Sequence, residues 1–399
     1  VTQEIFTGSF TQQEPIPEAG IAAALAVLRH GRLHRYNTAP GEVAETAALE
    51  QEFAALTGAR YCLAVASGGA AIATALRAIG VGPNDAVLTN AFTLAPVPGA
   101  VAAIGARPVF VEVTDSLTID LDDLAAKAGQ ARVLLISHMR GHVCDMDRLM
   151  AICAAAGVTV IEDCAHTMGA AWGGVPSGRH GAMACYSTQT YKHINSGEGG
   201  LITSDDDQAM ARAILLSGSY MLYPRHLAAP PPEAFAALTY DTPNISGRMD
   251  NLRAAILRPQ LALLPDRVAR WSVLYQTVES GLQGTPGLKL ITRPQAESYV
   301  GSSFQFLLPG WPAPQVQALL ARAAARGVDL KWFGAPAPAA FTSRYDHWHY
   351  AHPVPLPQTD RILAGLIDLR LPLTFTPADA ARIARIIRAE VCAPRPAAD

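Results

Sequence analysis

Ala184-Cys185-Tyr186-Ser187-Thr188-Gln189-Thr190-Tyr191-Lys192-His193-Ile194-Asn195-Ser196-Gly197-Glu198-Gly199-Gly200 is the stretch on which the reading of this chain turns. A short apolar run at 185–187 leads into small and hydroxylated residues and one lysine. A glycine-rich turn and a second apolar run, 201–203, follow. Surface lysines ordinarily stand among polar neighbours on an amphipathic face, and Lys192 does not. Glu198 is the only acidic residue in the stretch, so no salt-bridge partner is evident. A lysine deprived of hydration has a lowered pKa, and its free amine can attack a carbonyl. That is Schiff-base chemistry, and Lys192 reads as the carrier of pyridoxal 5'-phosphate.

Outward from this stretch, strand-like runs alternate with helical spacing. Apolar runs fall at 61–65, 86–89, 108–113, 133–137 and 158–161, each followed by a helix-length segment; 45–56 and 70–79 are helical in period. Such alternation implies crossover connections and a mainly parallel sheet. The near-continuous apolar character of the runs implies that both faces are covered. With 185–187 and 201–203, the sheet reaches seven strands, and the fold class is α/β. Residues 1–40 look irregular apart from a helix near 18–29, and 205–216 is a helix. Residues 218–247, with Pro230-Pro231-Pro232, form a long irregular stretch of the kind that is functional or mobile. Helical spacing resumes over 248–264, where Pro259 should kink the helix or end it early. Beyond it, 302–308 and 328–332 look like strands, and 313–326, 359–367 and 377–391 like helices. A proline- and aromatic-rich stretch, 334–358, lies between. The expected division is a large domain, 1–255, and a smaller α+β domain, 256–399.

Composition narrows the class. Of the 399 residues, 50% are hydrophobic and 16% charged, which suits a thick-cored enzyme and not a disordered chain. The net charge of −3 and the lack of a basic block argue against nucleic acid or an anionic membrane as partner. The six cysteines never form C-x-x-C, which points to a reduced, cytoplasmic protein. Residues 1–5 lack the basic-then-apolar plan of a leader. The most apolar stretch, 61–76, is broken by Ser67-Gly68-Gly69 and stopped by Arg77, so it is not a membrane span.

The remaining candidates lie just past strand ends, where ligands gather in an open parallel sheet. Asp163 follows the run 158–161 and could keep a pyridine nitrogen protonated; a helix N-cap is its alternative. Ser67-Gly68-Gly69 opens a helix after a strand, where free amides can take a phosphate; a plain tight turn is the alternative. It is neither G-x-G-x-x-G nor a P-loop. Ser187 could add a hydroxyl to the same phosphate. Phe92 could stack on the ring or pack in a loop. His166, three residues after Asp163, could contact the ring or be an ordinary buried histidine. His138, His142 and Cys144, and likewise His347, His349 and His352, lie close in sequence without a firm ligand spacing, so no metal is expected.

These residues resemble the DegT/DnrJ/StrS group of pyridoxal-phosphate aminotransferases, which make amino sugars and aminocyclitols. The anchors are Leu49-Glu50-Gln51-Glu52-Phe53-Ala54, Ala66-Ser67-Gly68-Gly69-Ala70-Ala71, Glu162-Asp163-Cys164-Ala165-His166, Ser187-Thr188-Gln189-Thr190-Tyr191-Lys192 with Gly197-Glu198-Gly199-Gly200, and Gly247-Arg248-Met249 with Ala254-Ala255. The resemblance implies fold type I (aspartate aminotransferase-like) and a homodimer with shared active sites. It makes Lys192 the Schiff-base lysine and Asp163 the pyridine-nitrogen partner. It assigns Phe92 to ring stacking, His166 to the usual His/Gln position, and Ser67, Gly68, Gly69 and Ser187 to the phosphate. Asn244 is the nearest candidate for an asparagine that reaches the partner's phosphate, at a longer spacing before Arg248. Gly69 stands where threonine is usual, Arg140 replaces a common aromatic, and 334–358 is unfamiliar. Gln189 looks like the aminocyclitol and aminohydroxybenzoate branch.

The expected activity is transfer of an amino group from glutamate or glutamine to a cyclic ketone, a keto-cyclitol or keto-sugar, with pyridoxamine phosphate as intermediate. Lys192 would act as base and then acid, and kinetics would be ping-pong. The rivals are a dehydratase of the same fold, which would carry histidine in place of Lys192; a lyase or cyclase; and a non-enzymatic regulator, which would need a broken lysine or aspartate.

Overall fold

The computed structural model describes residues 4–394. Residues 1–3, part of the stretch read for a leader, and residues 395–399 lie outside it. The chain begins with α1 (Glu18–His30), α2 (Glu45–Thr57), β1 (Tyr61–Val65), α3 (Gly68–Ala78), β2 (Ala86–Asn90), α4 (Pro96–Ala103) and β3 (Arg107–Val111). Next come α5 (Leu121–Lys127), β4 (Val133–Ser137), α6 (Met146–Ala156), β5 (Thr159–Asp163), the short pair β6 (Ala171–Trp172) and β7 (Val175–Pro176), β8 (Met183–Ser187), β9 (Gly200–Ser204) and α7 (Asp207–Ser217). After α8 (Glu233–Ala236) and α9 (Asn251–Leu261) the chain runs through α10 (Leu264–Leu282), β10 (Lys289–Leu290), β11 (Glu297–Ser298), β12 (Ser303–Leu307) and α11 (Ala313–Ala325). It closes with β13 (Lys331–Trp332), α12 (Pro357–Ala364), β14 (Leu366–Arg370) and α13 (Pro377–Cys392).

The seven expected strands make one sheet in the order β1-β9-β8-β5-β4-β2-β3. β9 runs antiparallel to both neighbours, and every other pairing is parallel. Burial on both faces explains the unbroken apolar runs. Leu63, Val65, Val133 and Leu135 pack with α3, α4 and α7 on one side. Their neighbours in sequence face the other way: Cys62 and Ala64 toward α2 and α9, Leu134 and Ile136 toward α6. Successive strand side chains point to opposite faces, so both sets must be apolar. Truncating Leu63 or Leu134 to alanine is expected to cost about 2–5 kcal/mol, because each is fully buried. Side chains of Asp120, Asp145, Asp206 and Asp250 accept N–H groups at the starts of α5, α6, α7 and α9, fixing where those helices begin.

A second, antiparallel sheet, β10-β12-β14-β13, carries α10, α11 and α13, and β11-β6-β7 form a third. Three details differ from the sequence expectations. The helix read over 359–367 stops at Ala364, and the apolar residues beyond Gly365 are the strand β14. The strand read over 328–332 is only Lys331–Trp332. Pro259 lies inside α9, which ends two residues later at Leu261, and a further helix, α10, starts at once with Pro265 in its first turn. Proline is tolerated there because the first-turn N–H has no helical acceptor. The expected division at 255/256 falls inside α9. Among the described residues, no helix is long and apolar enough to cross a membrane.

Candidate active site

The strand register brings the candidates to one edge. Ser137 pairs with Asp163, and Asp163 with Cys185, so β4, β5 and β8 end together. Val65 and Ser187 both pair with Gly200 of β9, which sets the end of β1 at the same edge. A cavity of about 340 Å³ opens there, lined by Lys192, Asp163, His166, Ser187 and the Ser67–Gly69 turn, among others. Its size is at the small end of the range for ligand pockets.

Lys192 sits on a loop closed like a clasp. β8 and β9 continue their ladder past the strand ends, with Thr188 N–H donating to Gly199 O (2.9 Å) and Thr190 N–H to Gly197 O (3.1 Å). Lys192 N–H donates to Gln189 O (2.8 Å), and Gln189 Oε1 accepts from Tyr191 N–H (3.0 Å). Lys192 Nζ lies 2.7 Å from His166 Nε2. Burial, with Arg140 and Arg370 nearby, pulls the Lys192 pKa down to about 7 against the attraction of Asp163. Burial also holds His166 well below the usual histidine value, so its ring is neutral. His166 Nδ1 accepts the Arg140 N–H (3.3 Å), which leaves the ring proton on Nε2. His166 therefore donates to the lone pair of a neutral lysine, and the pair favours the free amine.

Asp163 is buried at the end of β5. Its Oδ2 accepts from Ser137 Oγ (3.0 Å) and its Oδ1 from Ala165 N–H (3.2 Å). Burial raises its pKa, opposed chiefly by Lys192. Ser137 Oγ in turn accepts from Thr93 Oγ1 (2.8 Å), and the Asn90 side chain clamps the Ser137 backbone at both N–H and C=O. The sequence reading missed Asn90, Thr93 and Ser137; three polar residues at the ends of two apolar runs were the available signal.

Also lining the cavity, Ser67 accepts at its Oγ from Ala70 N–H (3.1 Å) and starts α3. The first amides of a helix have no intrahelical acceptor, so this turn offers N–H groups to an anion. A Cβ at Gly68 would come 2.9 Å from Ser187 Cβ, so only glycine lets the two turns approach this closely. Ser187 Oγ accepts from Gln189 N–H (3.3 Å).

One expected residue is not brought here. Phe92 is fully buried and packs edge-on against Phe333, ring centroids 5.0 Å apart; it does not line the cavity. The chain turns after β2, and the wall at this point is Leu94, Pro96 and Val97. Asn244, read as reaching a partner's phosphate and not this one, is exposed, and its Oδ1 accepts from Ser246 N–H (2.8 Å). An aromatic does reach the site, Phe341, from the unfamiliar 334–358 stretch. Of the two histidine groups read in sequence, His142 bonds Gln305 (2.9 Å), Cys144 Sγ approaches Met146 Sδ (3.6 Å), and His347 Nδ1 accepts Arg344 N–H (3.3 Å). His138, Glu162 and Cys164 do converge within 4.8 Å. Glu162, however, already takes His138 and the N–H groups of Gly178, His180 and Gly181, and burial pushes the Cys164 thiol up.

A seven-stranded sheet of this order, with an amine and a carboxylate gathered at one edge and a small antiparallel sheet following, is the aspartate aminotransferase-like fold type I. The chain belongs to the DegT/DnrJ/EryC1/StrS aminotransferase family, whose sequence profile matches residues 18–388. A pleiotropic regulatory protein of Geobacillus stearothermophilus is 34% identical over 215 residues, 52% of this chain and 54% of that protein. The 3-amino-5-hydroxybenzoate synthase of Amycolatopsis mediterranei (strain S699) is 31% identical over 308 residues, 75% of this chain and 74% of that enzyme. The chain thus spans about half the length of the first relative and about three quarters of the second. A crystal structure of 3-amino-5-hydroxybenzoic acid synthase superposes with a TM-score of 0.81 at 25% identity, over 96% of this chain and 98% of that one.

Proposed function

We propose that this chain is a pyridoxal-phosphate-dependent aminotransferase that moves an amino group from glutamate or glutamine to a cyclic ketone, a keto-cyclitol or keto-sugar. The observation that carries the reading is a lysine amine with a pKa near 7, sharing one cavity with a buried carboxylate. The residues present fit the cofactor. Lys192 would hold it through Nζ, Asp163 would pair with its ring nitrogen, and the amides of Gly68 and Gly69 with the hydroxyls of Ser67 and Ser187 would take its phosphate. The approach of Gly68 to Ser187 makes the cradle at that end. When bound, the cofactor supplies an electron sink for the carbon next to the substrate nitrogen.

The chain's own residues supply the proton chemistry. Near neutral pH much of Lys192 is free amine, so Nζ can take the proton from the donor's α-carbon and later return one. His166 Nε2–H keeps that lone pair oriented. Asp163, held by Ser137 and Ala165, keeps a negative charge where a protonated ring nitrogen would sit. Leu94, Pro96 and Val97 make the wall apolar where Phe92 was expected. The 3-amino-5-hydroxybenzoate synthase relative supports a ring-shaped acceptor.

The other elements of the reading are a large unit, 1–255, with a small unit, 256–399, and a homodimer in which Asn244 turns toward the second subunit. Exposed apolar residues Ile21, Leu25 and Leu28 on α1, with Tyr220 and Met221, support a covered face. Free, mostly buried cysteines support the cytoplasm. The regulatory relative favours a second reading, a non-enzymatic regulator. Against it stand Lys192 and Asp163, both present and both lining the cavity. Borohydride reduction of the cofactor-loaded protein, followed by peptide mass analysis, decides the matter. The adduct is expected on Lys192; an adduct on Lys127, Lys289 or Lys331, or none, overturns the assignment. An acceptor screen that follows amino transfer to cyclic ketones tests the substrate class.

A further inference from the structure

Lys192 also borders a much smaller chamber, which shares no other residue with the reaction cavity. It measures about 20 Å³ and is lined chiefly by Gln13 and Glu14 of the N-terminal segment, His193 of the lysine loop, and Arg267 and Trp271 of α10. Its polar groups are mostly donors that lack acceptors. Gln13 Nε2 is buried and has no hydrogen-bond partner among the described residues. His193 is 3% exposed and stands edge-on to Trp271. Its Nε2 meets Ser302 Oγ (3.2 Å), while its buried Nδ1 has no partner. Arg267 is 8% exposed and uses only Nη1, which donates to His193 O and Gln260 Oε1 (both 3.0 Å). It forms no ion pair among the described residues, and burial lowers its pKa against the attraction of Glu14. Glu14, the one carboxylate of the lining, is already engaged by Arg270 at both oxygens (2.6 and 3.3 Å). A buried donor without an acceptor and a buried cation without a counter-charge each cost free energy. Here three such groups, from three separate segments, border one small space.

We propose that this chamber is a halide site, which holds one chloride ion among Gln13 Nε2, His193 Nδ1 and the free N–H groups of Arg267. An excess of donors, an unpaired cation and no free carboxylate suit an anion and not a metal ion. The volume is enough for a single water-sized species, which admits chloride and excludes a carboxylate or a phosphate. A water molecule would fit, but it would leave Arg267 without a counter-charge. The ion also selects the His193 tautomer: Ser302 Oγ donates to Nε2, and the ring proton sits on Nδ1. The site goes beyond the aminotransferase reading and does not rest on it.

Bromide is the probe that locates the ion. Crystals of the cofactor-loaded enzyme, grown without halide and soaked in graded sodium bromide, should show an anomalous peak among Gln13, His193 and Arg267 that saturates as bromide rises. Gln13→Leu removes one donor from a side chain that makes no hydrogen bond among the described residues, so the fold is expected to stay as it is. This variant should need about tenfold more bromide for equal occupancy. In solution, thermal midpoints of the loaded enzyme in sodium chloride and in sodium gluconate, at equal ionic strength, make the same comparison. Chloride should raise the wild-type midpoint, and Gln13→Leu should reach the same rise only at about tenfold higher chloride. Arg267→Met should lose both responses. Because Arg267 also holds the lysine loop through His193 O, Gln13→Leu is the deciding variant. The proposal is overturned if the chamber holds only water at the highest bromide, or if Gln13→Leu matches wild type in bromide occupancy or chloride response. A wild-type midpoint that ignores chloride would mean binding at crystal concentration only, and would overturn it as well.

Discussion

The two walls of the Lys192 cavity are built in different ways. One wall, with Asp163, Ser137, Ser187 and the Ser67–Gly69 turn, stands on the ends of strands in the large sheet. Its side chains are fixed by a continuous run of hydrogen bonds from Thr93 through Ser137 to Asp163. The other wall, with Arg140, Arg370, Tyr191 and Phe341, is assembled from a turn, the last residue of an inner strand of the second sheet, the lysine loop and a proline-rich excursion. Its contacts are an ion pair, a cation over a ring and exposed aromatic surface. A strand end holds a reacting group within a narrow geometry, as chemistry requires. A composite wall can change without disturbing the sheet, as a change of substrate requires.

If that contrast holds, substitutions on the first wall should cost turnover, and those on the second should cost affinity. Lys192→Ala should have the largest effect, lowering the rate of amino transfer by about 10³-fold or more in steady-state assays. Asp163→Asn keeps the shape but removes the charge, and turnover should fall roughly a hundredfold with little change in KM. A large KM effect with normal kcat would break the contrast. Ser137→Ala should cost about 1–2 kcal/mol in chemical denaturation, since it leaves a buried carboxylate short of one donor, together with a smaller loss of turnover. Phe341→Ala should have the smallest effect on the fold, within about 0.5 kcal/mol, and act on acceptor KM alone, because the residue is exposed.

The pH dependence sharpens the same comparison. Burial lowers the folded pKa of Lys192 to about 7, below the ordinary lysine value. Between those two values the unfolded chain holds one more proton than the folded one, so this group makes stability rise with pH across that window. Below about 7 the lysine is charged in both states, and the folded protein bears the full cost of burying it. In the cofactor-free protein, Lys192→Met should therefore stabilise most at pH 6, with the advantage fading as pH approaches 10. Urea midpoints at both values measure it; an equal gain at both would mean that the amine is not depressed.

Much of the first wall was legible in sequence. Apolar runs that end in serine or aspartate mark strands whose carboxyl ends face a ligand, and Lys192 stood out for its unlysine-like neighbours. Phe92 misled because the alternation of a strand stops at its last residue. Beyond Asn90 the turn, not the period, decides which of Phe92 and Leu94 faces inward. The second wall was largely illegible. Arg370 lies in a strand that follows α12 across a single glycine, so the apolar residues of both read as one helix. Helix α10 was lost behind Pro265, which looks like a stop but occupies a position where the missing N–H costs nothing. No local pattern could pair Arg140 with Asp368, which are joined only by the fold.

The clasp between β8 and β9 carries a consequence for how this protein fails on heating. Its ladder runs unbroken from the sheet into the lysine loop, and β9 lies between two partners in the interior of the sheet. Such a loop has no private way to melt; it opens only when the strands beside it part. The yellow of a loaded enzyme should then fade in step with its far-ultraviolet dichroism, with no colourless yet folded species in between.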